Sequence, residues 1–216
     1  MTNRNRVFAT GFGDTYALGF DKPVTICSFR EVGWFSQAFN YSEPIERLSC
    51  GVSHSGCIIS GKCYFWGILG MNSSLHFKKP VLVNIPGGSS IGSSYTNIHS
   101  KELGGNTRKS YAKDRDLNVV LDIKLGDLLT VVLTKKGEVY AMGENSFNQL
   151  GSVLKNNADY SPTLVKVPFD DPNTCITAIA CGNNHVLVFC KETRTTYGWG
   201  CNGQGQLIPY NIRDEQ

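Results

Sequence analysis

The chain has little charge. Only 18% of its 216 residues are Asp, Glu, Lys or Arg, below the roughly one quarter usual for soluble domains. Its net charge of +3 is too mild to mark a dedicated nucleic-acid binder, which shows a basic stripe. No run approaches the ~20 apolar residues that span a bilayer. The N-terminus, MTNRNRVFATGFG, lacks the apolar centre of a secretory signal. A protein of the cytoplasm or nucleus, with no membrane insertion, is expected. No C-x-x-C pair, no His–Cys cluster at zinc-ligand spacing and no Ser nucleophile elbow is present, and the carboxylates are scattered. Metal and acid–base chemistry thus lack a visible constellation, and neither catalysis nor a cofactor is expected. Eight cysteines are too few for a disulfide-built scaffold. Cys50 and Cys181 are expected to be small buried apolar side chains, in keeping with a reducing compartment. No helical apolar period is sustained, so little helix is expected.

What the chain has is glycine, 23 residues of it, arranged in repeats. IERLSCGVSHSGCIISGKCYFWG (45–67), VLDIKLGDLLTVVLTKKGEVYAMG (120–143) and ITAIACGNNHVLVFCKETRTTYGWG (176–200) share one pattern. An apolar strand ends at Gly51, Gly126 or Gly182. A second apolar strand and a short turn follow, then a third strand that carries an aromatic and ends at Gly67, Gly143 or Gly200. VFATGFGDTYALG (7–19) aligns without a gap to VYAMGENSFNQLG (139–151), giving a leading half-repeat that ends its strand at Gly11. From Gly11 to Gly67 is 56 residues, from Gly67 to Gly143 is 76, and from Gly143 to Gly200 is 57. The middle step therefore holds an insertion. A proline opens a further apolar stretch in three places, Pro23–Ile26, Pro80–Val83 and Pro162–Val165, as suits the first residue of a strand.

Each unit therefore reads as about four short strands. One such sheet cannot bury both faces alone, but radial stacking buries each face against a neighbour. Phe65, Trp66, Tyr140, Tyr197 and Trp199 are expected to fill the space between sheets. The fold class is all-β: a β-propeller of about three to four four-stranded blades in an incomplete ring. The whole of 1–216 forms one repeat region, with a half-repeat at 7–19, repeats at about 45–74, 120–151 and 176–207, and a polar insertion at about 87–116.

The pattern apolar-x-C-G-x-x-H, then G-x-x-Y-x-W-G, then x-N-x-x-G-Q-L-G resembles the repeat of the regulator of chromosome condensation family. CGNNH (181–185), YGWG (197–200) and CNGQGQL (201–207) carry it best, with CGVSH (50–54), YFWG (64–67) and GEVYAMGENSFNQLG (137–151). The resemblance covers roughly residues 7 to 208. Three places depart from it: Leu129 stands where His54 and His185 stand elsewhere, ILGMNSS (68–74) lacks the N-x-x-G-Q-L-G turn, and Gly13 and Ala17 replace Asn and Gln in the opening copy. The family implies a ring of seven blades, of which this chain carries three units and a leading half. A fragment of a longer ring, closure by oligomerisation or by a partner chain, and a stable open arc or smaller ring are the alternatives. An open arc leaves strand edges unpaired.

The candidate site residues follow from the turns. His54 and His185 read either as partner contacts or as fixed repeat positions that bond the backbone of the turn. Asp14, Asp127 and Asn183 fall in turn segments after a glycine, where they could line one rim. In the resembled family, acidic and histidine side chains at such turns help contact a small GTPase, which makes His54, Asp127, Asn183 and His185 the expected partner surface. GCNGQG (200–205) looks like a phosphate loop, but no Gly-Lys-Ser/Thr follows and no helix begins there, so turn glycines explain it. The insertion is rich in Gly and Ser and basic at Arg108, Lys109, Lys113 and Arg115. It reads as a surface loop or as a projecting binding element containing Arg108 and Lys109. The expected function is a non-catalytic protein-interaction or scaffold module. Guanine-nucleotide exchange on a small GTPase is the alternative, and chromatin or nucleic-acid association is a weaker one. The expected partner is a protein, either a small GTPase or a chain that completes the propeller.

Overall fold

The structure, a computed structural model, describes residues 6–39, 43–69, 76–86, 95–96, 119–151, 154 and 158–207. It forms four antiparallel sheets, here numbered blades 1 to 4 in chain order. Blade 1 pairs β1 (Phe8–Gly11) with β2 (Ile26–Glu31). Blade 2 runs β3 (Ile45–Cys50), β4 (His54–Ile59), β5 (Lys62–Ile68), β6 (His76–Val83) and a two-residue β7 (Tyr95–Thr96). Blade 3 runs β8 (Val120–Leu125), β9 (Leu129–Thr134), β10 (Val139–Glu144) and β11 (Tyr160–Lys166). Blade 4 holds β12 (Ala178–Cys181), β13 (His185–Cys190) and β14 (Thr195–Gly200). The expected four strands thus occur in blades 2 and 3, and blade 2 gains a fifth. One helix, α1 (Trp34–Phe39), joins β2 to β3.

The sheets stack face to face because their strands alternate, with successive side chains on opposite faces. Ile58, Cys63 and Phe65 of blade 2 meet Ile123, Val132, Tyr140 and Met142 of blade 3 in one core. Leu129, Val131, Leu133 and Ala141, on the other face of blade 3, meet Val186, Val188 and Cys190 of blade 4 in a second. The third core lies between blades 1 and 2. There Cys57, Ile59, Tyr64 and Trp66 pack on Val7, Val32, Trp34 and Phe35. The ring of Phe35 stands edge-on to Trp66 at 5.8 Å, and Trp34 lies 6.1 Å from Tyr64. Blade 1 has no inner strand pair among the described residues, and Trp34 and Phe35 of α1 pack on blade 2 in this core.

A size exchange fits each third strand to its neighbour. Gly56 pairs with Phe65, Val131 with Ala141, and Leu187 with Gly198. Directly opposed residues on one face share the same volume, so a large side chain on one strand is met by a small one on the other. A Cβ on Gly56 would come within 2.5 Å of the Phe65 ring.

The third-strand glycines all take positive φ: Gly11 at 111°, Gly67 at 100°, Gly143 at 115° and Gly200 at 101°. At the first three, the register with the fourth strand slips. Gly11 pairs with Ile26, Gly67 with Phe77 and Gly143 with Ser161, although the residues two positions earlier pair with Arg30, Val81 and Val165. Pro80 and Pro162 belong to this bulge and do not open their strands as expected, whereas Pro23 lies ahead of its strand. Pro80 and Pro162 sit inside β6 and β11, while Pro23 precedes β2. A bulge leaves residues unpaired and so tolerates a missing donor as well as a strand start does.

The cysteines also divide. Cys57, Cys63 and Cys190 are buried and Cys181 is partly buried, but Cys50 is exposed. Cys50 ends the inner strand β3, four of whose six residues are exposed, so the expected burial fails there. None of the eight is in a disulfide.

Candidate functional site

The turn between the first and second strands is built the same way in three blades. Gly51 N donates to His54 O at 2.8 Å, Gly126 N to Leu129 O at 2.7 Å, and Gly182 N to His185 O at 2.9 Å. Neighbouring turns are also bonded to each other. Val52 N donates to Gly126 O at 3.1 Å, and Asp127 N to Asn183 O at 3.0 Å. This close approach requires glycine. A Cβ on Gly51 would lie 2.2 Å from Gly126 O, and one on Gly126 would lie 2.4 Å from Asn183 O. The result is a row of three turns fixed by backbone hydrogen bonds, in which Val52, Asp127 and Asn183 each follow the glycine. Val52 is 62% exposed, Asn183 is exposed and Asp127 is half-buried.

The histidines separate from this row. His54 is wholly buried, with Nε2 3.0 Å from Thr130 Oγ1 of blade 3. It locks one blade to the next and offers no surface to a partner. Burial lowers its pKa from the ordinary 6.5 to about 4, against a smaller opposing effect of the nearby Asp127 backbone. At the next junction the same two positions are Leu129 and Val186, both fully buried in one core. Leu129 is therefore no simple loss of the histidine, since the hydroxyl that would face it has gone as well. His185, the equivalent in blade 4, is half-buried and stands beside the rim.

The His54 shift gives a pH dependence of definite sign. An unfolded chain takes up the proton near pH 6.5, whereas the folded chain resists it until about pH 4. Stability from this group is therefore complete above pH 6.5 and declines as pH falls toward 4. Between pH 7 and 5 the expected loss is about 2 kcal/mol. Urea unfolding of the wild type and of His54→Leu at both pH values checks this: the variant should lack that part of the decline.

The insertion departs from the opposite end of the blades. Its flanking residue Val119 accepts from Lys135 N, and Val120 N donates to Gly61 O, both at the turns between second and third strands. Arg108 and Lys109 lie outside the described residues. At this same end a cleft of about 670 Å³ is lined by Lys136, Glu138, Lys166, Phe169 and Asp171, among others. Its Glu138 carboxylate is engaged by Lys166 Nζ at 2.6 Å and by Tyr140 OH at 3.1 Å. The Lys166 hydrogen bond chiefly holds its pKa down, which leaves it a poor general base. Among the described residues no three His, Cys, Asp or Glu side chains gather as metal ligands, and no helix is long and apolar enough to cross a membrane.

Asp127, Asn183 and His185 are thus brought to one rim and His54 is not. Sequence reading missed Val52, although its place after Gly51 matches that of Asp127 after Gly126.

The model of the regulator of chromosome condensation (RCC1) repeat matches residues 136–189. The probable E3 ubiquitin-protein ligase HERC3 of Homo sapiens is 28% identical over 170 residues, 76% of this chain and 13% of its own length. The RCC1-like G exchanging factor-like protein of Homo sapiens is 35% identical over 95 residues, 43% of this chain and 20% of its own. Prp20p of Saccharomyces cerevisiae, described with its binding to Gsp1p and histones, superposes with a TM-score of 0.68 at 19% identity, over 99% of this chain and 44% of Prp20p. The chain spans less than half the length of each of these proteins. With its turns, third-strand glycines and stacked sheets repeating in step, the chain carries an RCC1-type repeat at 136–189 and folds as blades of a propeller whose ring is not closed among the described residues.

Proposed function

We propose that this chain is a non-catalytic interaction module that presents the rim Val52–Asp127–Asn183, with His185 beside it, to a protein partner. The row of cross-bonded turns carries this reading. Its backbone is fixed before binding, so a partner meets an ordered surface at little entropic cost. The test is native purification of the full chain with co-purifying proteins read by mass spectrometry. Wild type is compared with Asp127→Lys/Asn183→Lys and with Lys166→Glu at the far end. Like-charge or mismatched contacts at a rim weaken association by about tenfold or more. A partner lost from the rim variant and kept by Lys166→Glu is the expected result. An identical set of partners from all three chains overturns the reading.

Guanine-nucleotide exchange on a small GTPase is the second reading, favoured by the similarity to the RCC1-like G exchanging factor-like protein. Exchange works by binding the nucleotide-free GTPase more tightly, which by reciprocity weakens its nucleotide. It predicts faster nucleotide release that Asp127→Lys abolishes. A scaffold binds and leaves the release rate unchanged.

A further inference from the structure

The last strand of a sheet presents backbone N–H and C=O groups that a further strand can pair with. In blade 2 that edge is in use. The short strand β7 pairs with β6, Thr96 with Leu82 and Tyr95 with Val83. The chain thus adds a fifth strand to its own sheet.

β11 is the counterpart of β6 in blade 3, and their registers agree. Leu82 pairs with Tyr64 as Lys166 pairs with Tyr140, and Val81 pairs with Phe65 as Val165 pairs with Ala141. Val83 therefore corresponds to Val167. Val167 N donates to Val139 O at 2.9 Å. In an antiparallel ladder such a bond flanks a pair that exchanges no bonds of its own. Lys166 and Tyr140 are that pair, so the N–H and C=O of Lys166 point away from β10. They lie on the edge by which Leu82 takes Thr96. Among the described residues β11 is the last strand of its sheet. In the adjoining bulge β6 has Pro80, with no N–H to donate, where β11 has Leu164.

The side chains at this edge have a sign. Lys166 Nζ is 2.6 Å from Glu138 Oε1, yet the Lys166 side chain is 58% exposed. Lys136 acts on the same carboxylate, so two ammonium groups face one acid. Asp171, on the other lip of the nearby cleft, is turned into its own loop, where Oδ1 accepts Asn173 N at 2.8 Å. Residues directly opposed on neighbouring strands attract when their charges differ. Lysine commonly guards an open edge against indiscriminate pairing, and here it favours a strand that brings an acid.

We propose that the β11 edge is a strand-addition site: it takes an extended peptide segment of a partner protein, paired antiparallel at Lys166, with an acidic residue opposite that lysine. Main-chain hydrogen bonds supply the affinity and the acid supplies the selectivity. The site is separate from the rim and does not rest on it.

The test uses a synthetic peptide that copies residues 91–99, the chain's own edge strand and its flanks, with Thr96→Asp so that the acid falls opposite Lys166. Copies that keep Thr96 or carry Thr96→Lys are compared. Each is titrated into the isotope-labelled full chain, and amide signals and hydrogen exchange are followed. The Lys166 amide should exchange rapidly in the free chain and about tenfold more slowly with peptide bound, as closure of a local site slows exchange. The Asp peptide should bind about threefold more tightly than the Thr peptide, and the Lys peptide most weakly. Lys166→Ala should erase this order and keep the pairing. Lys166→Pro should abolish the pairing and leave the sheet folded, since the N–H it removes points away from β10. Equal binding to Lys166→Pro, signals that move at Leu82 and not at Lys166, or no binding at millimolar peptide overturns the proposal. Protection of the Lys166 amide that appears in the free chain on concentration makes a second copy the occupant and overturns it too. If Lys166→Pro fails to fold, the order of the three peptides on wild type and on Lys166→Ala decides: the same order on both, or no order on wild type, overturns the proposal.

Discussion

Gly143→Ala should cost about 4 kcal/mol or more, while Gly11→Ala, at the same repeat position, should cost about 1–2 kcal/mol. Both glycines hold φ well above zero, 115° and 111°, so both substitutions pay the strain of an L-residue in that region. Only one meets an obstacle. A Cβ on Gly143 would sit 1.9 Å from Leu128 O, whereas one on Gly11 meets nothing within 4 Å. Leu128 O cannot retreat easily, because it accepts Glu144 N at 2.9 Å and belongs to the turn that holds Asp127. The difference between the two variants measures the contact alone, with the dihedral cost cancelled. Urea unfolding midpoints at fixed pH check it, and equal losses would show that strain is the whole effect. Since domains are stable by only about 5–15 kcal/mol, Gly143→Ala should also leave a measurable unfolded fraction.

These glycines explain why so much of the architecture was legible in the sequence. A positive φ at the end of each third strand leaves a residue-type mark, and so does the close approach at Gly51 and Gly126. Both marks recur at the repeat spacing. The second strands β4 and β9 were legible because both their faces are buried, which leaves apolar runs such as TVVL in β9. Features that need a partner from elsewhere in the chain were not. The prolines fit a strand start and a bulge equally well until the opposing glycine is known. His54 and its partner Thr130 are 76 residues apart, so nothing local to His54 separates a buried lock from a binding contact. Likewise, Leu129 looks like decay of the repeat until Val186 is seen against it. Helix α1 is a single short helix whose Trp34 and Phe35 are buried against blade 2, and no repeat could announce it. Of the candidate rim, Asp127 and Asn183 were visible as polar residues after glycine. Val52 was missed because an apolar side chain in a strand-rich sequence looks like core.

Phe65→Ala should destabilise the chain by about 4 kcal/mol, and Gly56→Val added to it should recover about 2 kcal/mol. Phe65 is fully buried in the core between blades 2 and 3, so truncation opens a cavity that the rigid stacked sheets fill only in part. The remedy is written one blade along. There Val131 opposes Ala141 at the positions of Gly56 and Phe65, and both are fully buried. The double variant gives blade 2 the pair that blade 3 already uses. Gly56→Val alone should be harmful, because a Cβ there would come within 2.5 Å of the Phe65 ring and overpacking of this kind costs about 1–3 kcal/mol. Two substitutions that each destabilise but partly cancel together form a cycle with a coupling of opposite sign to the single effects. The cycle is measured by urea unfolding of the four chains. Additive losses would mean that the cross-strand pair does not share one volume, and the size exchange between Gly56–Phe65, Val131–Ala141 and Leu187–Gly198 would then be coincidence. A large coupling would extend to blade 4, where Leu187 opposes Gly198 in the same exchange.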